Sequence, residues 1–396
     1  MESWKRNLWL LWVGCFITSA SFSMVVPFLP LFLLHIGVNQ NIEMWSGLLF
    51  SSAFFAGAIS SPYWGALGDK YGRKPMIIRA GFVLFVIYVL TSMVTNPYQL
   101  LILRILQGLL SGFIPGSIAL VGTNTPEKHV GYALSMMSTA TATGGIMGPL
   151  LGGIIAKIFD SRIAFASAGV FVLCSTLLVL FWVKEEKFVP SKGRASVIES
   201  MKMAVNNRPF LTVLSLSLLT QFSVMTIEPV LPLYIVQVGG SAKDASLVAG
   251  IVFSLVGIAS ILFAPRWGKL ADKIGFHKIL VIGLLVGGLG NLAQLLFHGI
   301  WGFSIVRFIY GAFFCAVFPA LNGLVVRSTP TDFRGRAFGL NQTANQLGGM
   351  LGPLVGGAIS GVFSIHSVFW VTGILLLLAA GLAYRTNSPR PSTGQG

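Results

Sequence analysis

One acidic side chain in this sequence stands apart by its surroundings. Glu228 lies in an otherwise uncharged run from Pro209 to Gly240, and an ionised carboxylate placed in hydrocarbon costs several kcal/mol or more. Such a group must be neutral, paired or facing water, and one that moves between those states takes up and gives off a proton. Pro229 and Pro232 follow at once, which removes two backbone donors and strands the carbonyls of Met225 and Glu228. A helix facing lipid does not tolerate that, whereas one lining a cavity does. At a rise of ~1.5 Å per residue, Glu228 stands ~28 Å above Pro209, in the outer half of its span, where it suits proton entry from outside. Successive turns back along the same face give Met225, Gln221 and Ser217. The other acids, from Glu2 to Asp332, all fall in loops or at helix ends.

The elements that position this group are membrane helices. Of 396 residues, 54% are hydrophobic and only 10% charged, far from soluble globular usage and diagnostic of a chain that crosses the bilayer repeatedly. A formal charge of +15 does not indicate nucleic acid, because the lysines and arginines sit in short gaps between apolar runs and form no basic face. Twelve spans are predicted, at approximately 8–36, 44–67, 76–95, 98–123, 130–158, 163–183, 209–238, 245–267, 278–297, 300–326, 335–363 and 367–385. The first apolar run is too long for a signal peptide and is kept as span 1. Of the 27 lysines and arginines, 21 fall on the side of the termini, three on the other side (Lys157, Arg162, Lys243) and three within spans (Arg79, Arg104, Arg307), so both termini are expected in the cytoplasm. Cys15, Cys174 and Cys315 are read as apolar packing residues.

The chain also repeats. PFLP at Pro27 recurs as PVLP at Pro229, GALGDKYGRK from Gly65 as GKLADKIGFHK from Gly268, Arg104 with Gly108 as Arg307 with Gly311, and GPLLGG from Gly148 as GPLVGG from Gly352, always 202 to 204 residues apart. Two matched six-helix halves, 1–183 and 209–396, are therefore expected, joined by a polar cytoplasmic linker at 184–208. The fold class is all-α integral membrane, with the site between the pseudo-symmetric bundles.

Four motifs admit both a plain and a functional reading. Gly65 to Lys74 is read as a loop between spans 2 and 3. Its glycines and cations suit a turn, but an aspartate among cations in both copies, Asp69 near Arg73 and Asp272 beside Lys273, suits a gate that docks on a helix terminus and releases as the halves rock. Arg104 lies two turns into span 4 and is read as an inward charge acting on a carboxylate or water. Arg79, one turn into span 3, is read as a cation that snorkels to the rim. GGIMGPLLGG in span 5, with Gly148, Pro149, Gly152 and Gly153, permits close helix packing and a seal between the halves. A cargo surface follows from the repeat: Gln221 and Met225 face Ser19, Ser23 and Val26 of span 1, and Asn341 and Asn345 of span 11 pair with Met137 and Thr141 of span 5. An apolar cavity bearing methionine and a few amides and hydroxyls makes few polar demands on its guest.

Gly65 to Lys74 resembles the loop signature of the major facilitator superfamily, and Arg104 with Gln107 and Gly108 resembles its span-4 signature. Gly148, Pro149, Gly152 and Gly153 are similar to the span-5 motif of its drug/proton antiporters, and PFLP to their twelve-span branch. The resemblance covers essentially the whole chain and is closest to bacterial multidrug resistance exporters. It implies a multi-pass protein of the bacterial inner membrane, a monomer, that exports amphipathic drugs in exchange for protons, with Asp69 and Arg73 gating and Arg104 on the proton path. An acid in span 7 belongs to some of these exporters only. The alternatives are a transporter of the same fold for one metabolite or lipid, and a membrane sensor. No Walker loop for an ATP-driven pump is present, no enzyme constellation forms around the five scattered histidines, and neither cofactor, metal nor nucleic acid is called for.

Overall fold

The computed structural model describes residues 3–185, 197–238, 244–297, 299–330 and 333–386. Within them all regular structure is helical, arranged as twelve spans. Span 1 is Ser3–Met24 continued by Leu29–His35, span 2 Ile42–Tyr71, span 3 Arg73–Ser92, span 4 Pro97–Leu110 with Phe113–Asn124, span 5 Val130–Ile158 and span 6 Ser161–Trp182. Span 7 is Arg208–Ile227 with Leu231–Gln237, span 8 Ala245–Ile274, span 9 Phe276–Ala293, span 10 Ile300–Phe314 with Val317–Ser328, span 11 Arg334–Val362 and span 12 Ile365–Arg385. Eleven of these, among the described residues, are long and apolar enough to cross a membrane. Span 11 falls short because Asn341 to Gln346 places four amides on one stretch, which only an inward-facing helix tolerates.

One expectation needs correction. Gly65 to Lys74 is not a loop: helix runs through Tyr71 and resumes at Arg73, so a single residue, Gly72, turns the chain. Its φ of 101° and the φ of 93° at Gly275 belong to glycine, which is why the same one-residue turn stands in both repeats. Within the stretch between the halves, Val197–Asn206 is helical and Ala204 is buried in the second core. The paired prolines act as expected. Spans 1 and 7 each break at the PxLP segment, over Val25 to Phe28 and Glu228 to Val230, where the missing amides end the ladder.

One apolar core is built from residues between Leu8 and Val183, and two more from residues between Ala204 and Ala383. The end of the molecule carrying Ser3 and Arg385 is here called the base and the opposite end the crown. Between the two sets of spans, 2 lies on 11 and 5 lies on 8, and the seams close at the crown through glycine. A side chain on Gly47 would strike the carbonyl of Pro353, one on Gly250 that of Pro149 and one on Gly357 that of Glu43, while on Gly153 it would stand 2.6 Å from the carbonyl of Ser246. The polar links across the seams that the described residues make are also at the crown. Ser254 Oγ donates to the Ile146 carbonyl at 2.8 Å, and Lys157 pairs with Asp244 at 2.8 Å.

Because Gly153 meets only span 8, Gly153→Leu should leave its own half folded and wedge the crown open. Overpacking a close contact costs about 1–3 kcal/mol, so a single cysteine placed at Ser246 in a cysteine-free chain should label roughly tenfold faster. Lys157→Gln removes an exposed pair worth about 0.2–1 kcal/mol and should change labelling at Ser246 by less than about fivefold. A Gly153→Leu chain that labels like its parent contradicts the seam.

Candidate functional site

Glu228 caps the helix Arg208–Ile227 in right-handed conformation (φ −55°, ψ −46°). Pro229 follows, the Val230 amide turns back to the Ile227 carbonyl at 3.1 Å, and helix resumes at Leu231. The carboxylate is thus held at a break in the span, half-buried. It makes no hydrogen bond or ion pair among the described residues, yet lies within electrostatic reach of Arg307 from span 10. The cation that acts electrostatically on Glu228 is therefore Arg307 of its own half. Arg307 is buried, with Nη1 donating to Gln294 Oε1 at 3.2 Å, its guanidinium 5.3 Å from the Tyr310 ring, and Nε without a partner.

Arg104 occupies the matching place in the first half. Its Nη1 donates to Gln107 Oε1 at 2.8 Å, Gln107 Nε2 donates to the Tyr88 hydroxyl at 3.1 Å, and Tyr88 leans on the Ser21 carbonyl at 3.4 Å. At positions 88 and 291 the repeats carry Tyr and Asn, and at 107 and 310 Gln and Tyr, so phenol and amide have exchanged places. The counterpart of Glu228 is Val26. Val26 and Arg104 line one cavity of about 20 Å³ with Phe22, Leu49, Phe50 and Phe54, room for about one water. Each half buries an arginine, and only the second sets a carboxylate before it.

Two larger cavities adjoin span 4 where it breaks. One of about 250 Å³ is lined by Thr18, Phe22, Phe54, Gln107, Ser111 and Gln346. The next, about 150 Å³, is lined by Ser60, Trp64, Arg73, Arg79, Gly112 and Gln346. Glu228 is not among the lining residues of either. Arg79 does not snorkel as expected. Its guanidinium lies 3.3 Å from the Trp64 ring centre and donates to the Ser111 carbonyl at 3.2 Å, with Nε and Nη1 unpartnered. The reason is the break itself: Gly112, at φ 135°, ends the first helix of span 4 and leaves that carbonyl free to draw the cation inward.

The other anticipated residues divide. Ser19 Oγ donates to the Thr141 carbonyl at 2.8 Å and Ser23 Oγ to the Gly144 carbonyl at 3.1 Å, which stitches span 1 to span 5. Thr141 turns its hydroxyl back to the Ser138 carbonyl at 3.0 Å. Met137 is fully buried in the first core and does not face a cavity, because the helix turns it toward its own half. Gln221 and Met225 pack their Cβ atoms against Gly348 and Gly352 of span 11. Asn341 is buried, donating to Asn322 Oδ1 at 3.3 Å, and the side-chain oxygens of Asn341 and Asn345 have no partner. Gln346, one residue farther round the helix, is the amide on the cavity wall.

In the span-5 motif, Gly148 and Gly152 admit span 1 at Ala20 and Met24, whereas Gly153 and the Pro149 carbonyl meet span 8. Asp69 pairs with Arg73 within its own half, Gly65 has open space beside it, and Asp272 and Lys273 are exposed without an ion pair among the described residues. Sequence reading passed over Glu185. Its two oxygens accept from the amides of Arg73 and Lys74 at 2.7 and 3.0 Å, capping the start of span 3 from beyond the end of span 6.

A model of the Major Facilitator Superfamily matches residues 11–251 and 242–396. Curated relatives include a Multidrug resistance protein MdtG of Salmonella schwarzengrund, 39% identical over 98% of this chain and 96% of its own, and one of Salmonella newport at 38% over the same shares. Among solved structures, a bacterial homologue of the human lysosomal transporter Spinster in an inward-facing, unoccupied conformation superposes with a TM-score of 0.81 at 14% identity over 97% of both chains. A D-xylose-proton symporter superposes with a TM-score of 0.77 at 18% identity over 96% of each. With the family model spanning the chain and the twelve helices arranged as described, this multi-pass membrane protein belongs to the major facilitator superfamily.

Proposed function

We propose that this chain is a multidrug efflux transporter of the bacterial inner membrane that expels amphipathic drugs in exchange for protons, its termini in the cytoplasm. The MdtG relatives carry multidrug resistance in their name at 38–39% identity over nearly the whole chain. The observation that carries the coupling is Glu228, half-buried at a helix break without a hydrogen bond or ion pair among the described residues and within electrostatic reach of the buried Arg307. A carboxylate so placed exchanges its proton when the opening of the halves admits water, and holds it when they close.

In this reading the halves 1–183 and 209–396 rock about the glycine seams. With the crown open, Glu228 takes a proton and cargo leaves; with the base open, the proton is lost and cargo binds. The crown contacts suit the second state, in which the outside is sealed. One charge crossing 100 mV is worth ~2.3 kcal/mol, a roughly fifty-fold gradient for neutral cargo. Asp69 with Arg73, and Asp272 with Lys273, serve as the base gate, idle while the base is open. Cargo lies in the cavities at the span-4 break, against Phe22, Phe54, Trp64 and Gln346, and Arg79 is added to the residues that receive it. Arg104 lies on the proton path of the first half, buried against Gln107.

Glu228→Gln, assayed in vesicles with an imposed proton gradient, should lose uphill export while exchange of dye down its own gradient persists. Full proton-driven accumulation by that variant refutes the coupling. Arg79→Gln removes the unpartnered Nε and Nη1 that are available to donate to cargo, at about 1–3 kcal/mol for a lost charged hydrogen bond. It should weaken cargo binding by roughly five- to a hundredfold while the response to an uncoupler remains. Unchanged dye affinity removes Arg79 from the cargo site.

A further inference from the structure

At the base of the second half lies a cavity of about 620 Å³ whose wall includes Arg208, Arg327, Arg385 and His277. Among the described residues no aspartate or glutamate lines it. His277 Nε2 is buried there without a partner, and the cavity reaches Gly275 and Phe276, where span 9 begins and its free amides point toward the base. Three arginines, a histidine nitrogen and a helix start converge on one space.

The first half shows what such a space holds. The repeat places Gly72, Arg73 and Lys74 over Gly275, Phe276 and His277, and Asn124 over Arg327, each 203 residues apart. In the first half the chain fills the corresponding site with its own segment after span 6. Asn7 and Asn124 donate to the Lys184 carbonyl at 2.6 and 3.3 Å, and Glu185 delivers both carboxylate oxygens to the amides that open span 3. After span 12 the sequence Thr386 to Gly396 carries Arg390 and no acidic residue. Among the described residues no carboxylate meets the opening amides of span 9 as Glu185 meets those of span 3, and the repeat trades Arg73 and Lys74 for Phe276 and His277 while setting Arg327 in place of Asn124.

We infer that this cavity binds a phosphate group from outside the chain, held by Arg208, Arg327 and Arg385 and by the opening amides of span 9. Guanidinium forks match phosphate oxygens in pairs, and helix starts favour anions. The phosphate belongs either to an anionic phospholipid headgroup, as basic pockets between membrane helices hold, or to a soluble phosphate. The site is separate from the cavities at the span-4 break, and its occupancy does not depend on what the protein transports.

The test uses the full chain purified in neutral detergent. Native mass spectrometry and thermal melting are followed with inorganic phosphate, with phosphatidylglycerol and with phosphatidylcholine, for the parent, for a chain carrying Arg208→Gln, Arg327→Gln and Arg385→Gln, and for Thr386→Glu, which offers an internal carboxylate at the pocket wall. Retention of phosphatidylglycerol over phosphatidylcholine by at least roughly tenfold, lost in the triple variant, establishes a headgroup site. Stabilisation by inorganic phosphate without lipid preference, lost in the same variant, establishes a soluble-phosphate site. Thr386→Glu should lower either binding by a similar factor and decides the matter if the triple variant does not fold. The proposal is overturned if the parent responds to neither probe, or if both variants bind as the parent does.

Discussion

A charge held inside a membrane bundle must be answered by the bundle itself, and that requirement organises this molecule. Two arginines are buried at matching positions, Arg104 and Arg307, each propped by a glutamine and a tyrosine rather than by a fixed ion pair. A permanent salt bridge at membrane depth would lock its partners, since separating a buried pair leaves an uncompensated charge. Leaving the cation with unpartnered nitrogens keeps it available to whatever arrives. In the second half that is Glu228; in the first it is a space the size of one water. The proline break after Glu228 makes the arrangement possible, because it frees the carboxylate from the regular helix face.

The glycine seams meet a different requirement. At these seams the two bundles have contact without interlocking side chains. Gly47, Gly153, Gly250 and Gly357 supply it by letting backbone meet backbone. The same helices use neighbouring glycines, Gly148 and Gly152 or Gly352 and Gly356, to grip span 1 or span 7 within their own half. One motif therefore sets both a permanent and a separable interface, on faces about a quarter-turn apart. This is why it stands as GPLxGG and not as a single GxxxG.

Much of this was legible in the sequence. Apolar runs, repeat offsets and the PxLP breaks gave the twelve spans in order, because each rests on local chemistry: hydrocarbon length, proline's missing amide, glycine's missing Cβ. What failed depended on the rotation of a helix or on a partner far along the chain. Asn345 and Gln346 differ by one residue, and no periodicity decides which faces the cavity when the whole stretch is polar. Met137 looked like a cavity methionine only because its repeat mate is an asparagine, whereas its own face points into the core. Arg79 was misplaced for want of the kink at Ser111 and Gly112, which lies 32 residues away and opens the carbonyl it binds. Glu185 sat in a charged linker where nothing marked it as a cap.

The repeats also indicate where to look for chemistry. Features present in both halves, namely the one-residue turn at Gly72 and Gly275, the buried arginine and the GPLxGG seam, are what the architecture needs twice. Features present once cannot be needed for folding a six-helix half, since the other half folds without them. Glu228 opposite Val26, Arg79 without a basic counterpart (Ile282 stands 203 residues on), and the acid-lined cap of span 3 against the arginine-lined cavity of span 9 are of this second kind. Arg104 belongs to the first, which argues that its burial is a general condition of the fold, whereas a carboxylate at the position of Glu228 is particular to the second half.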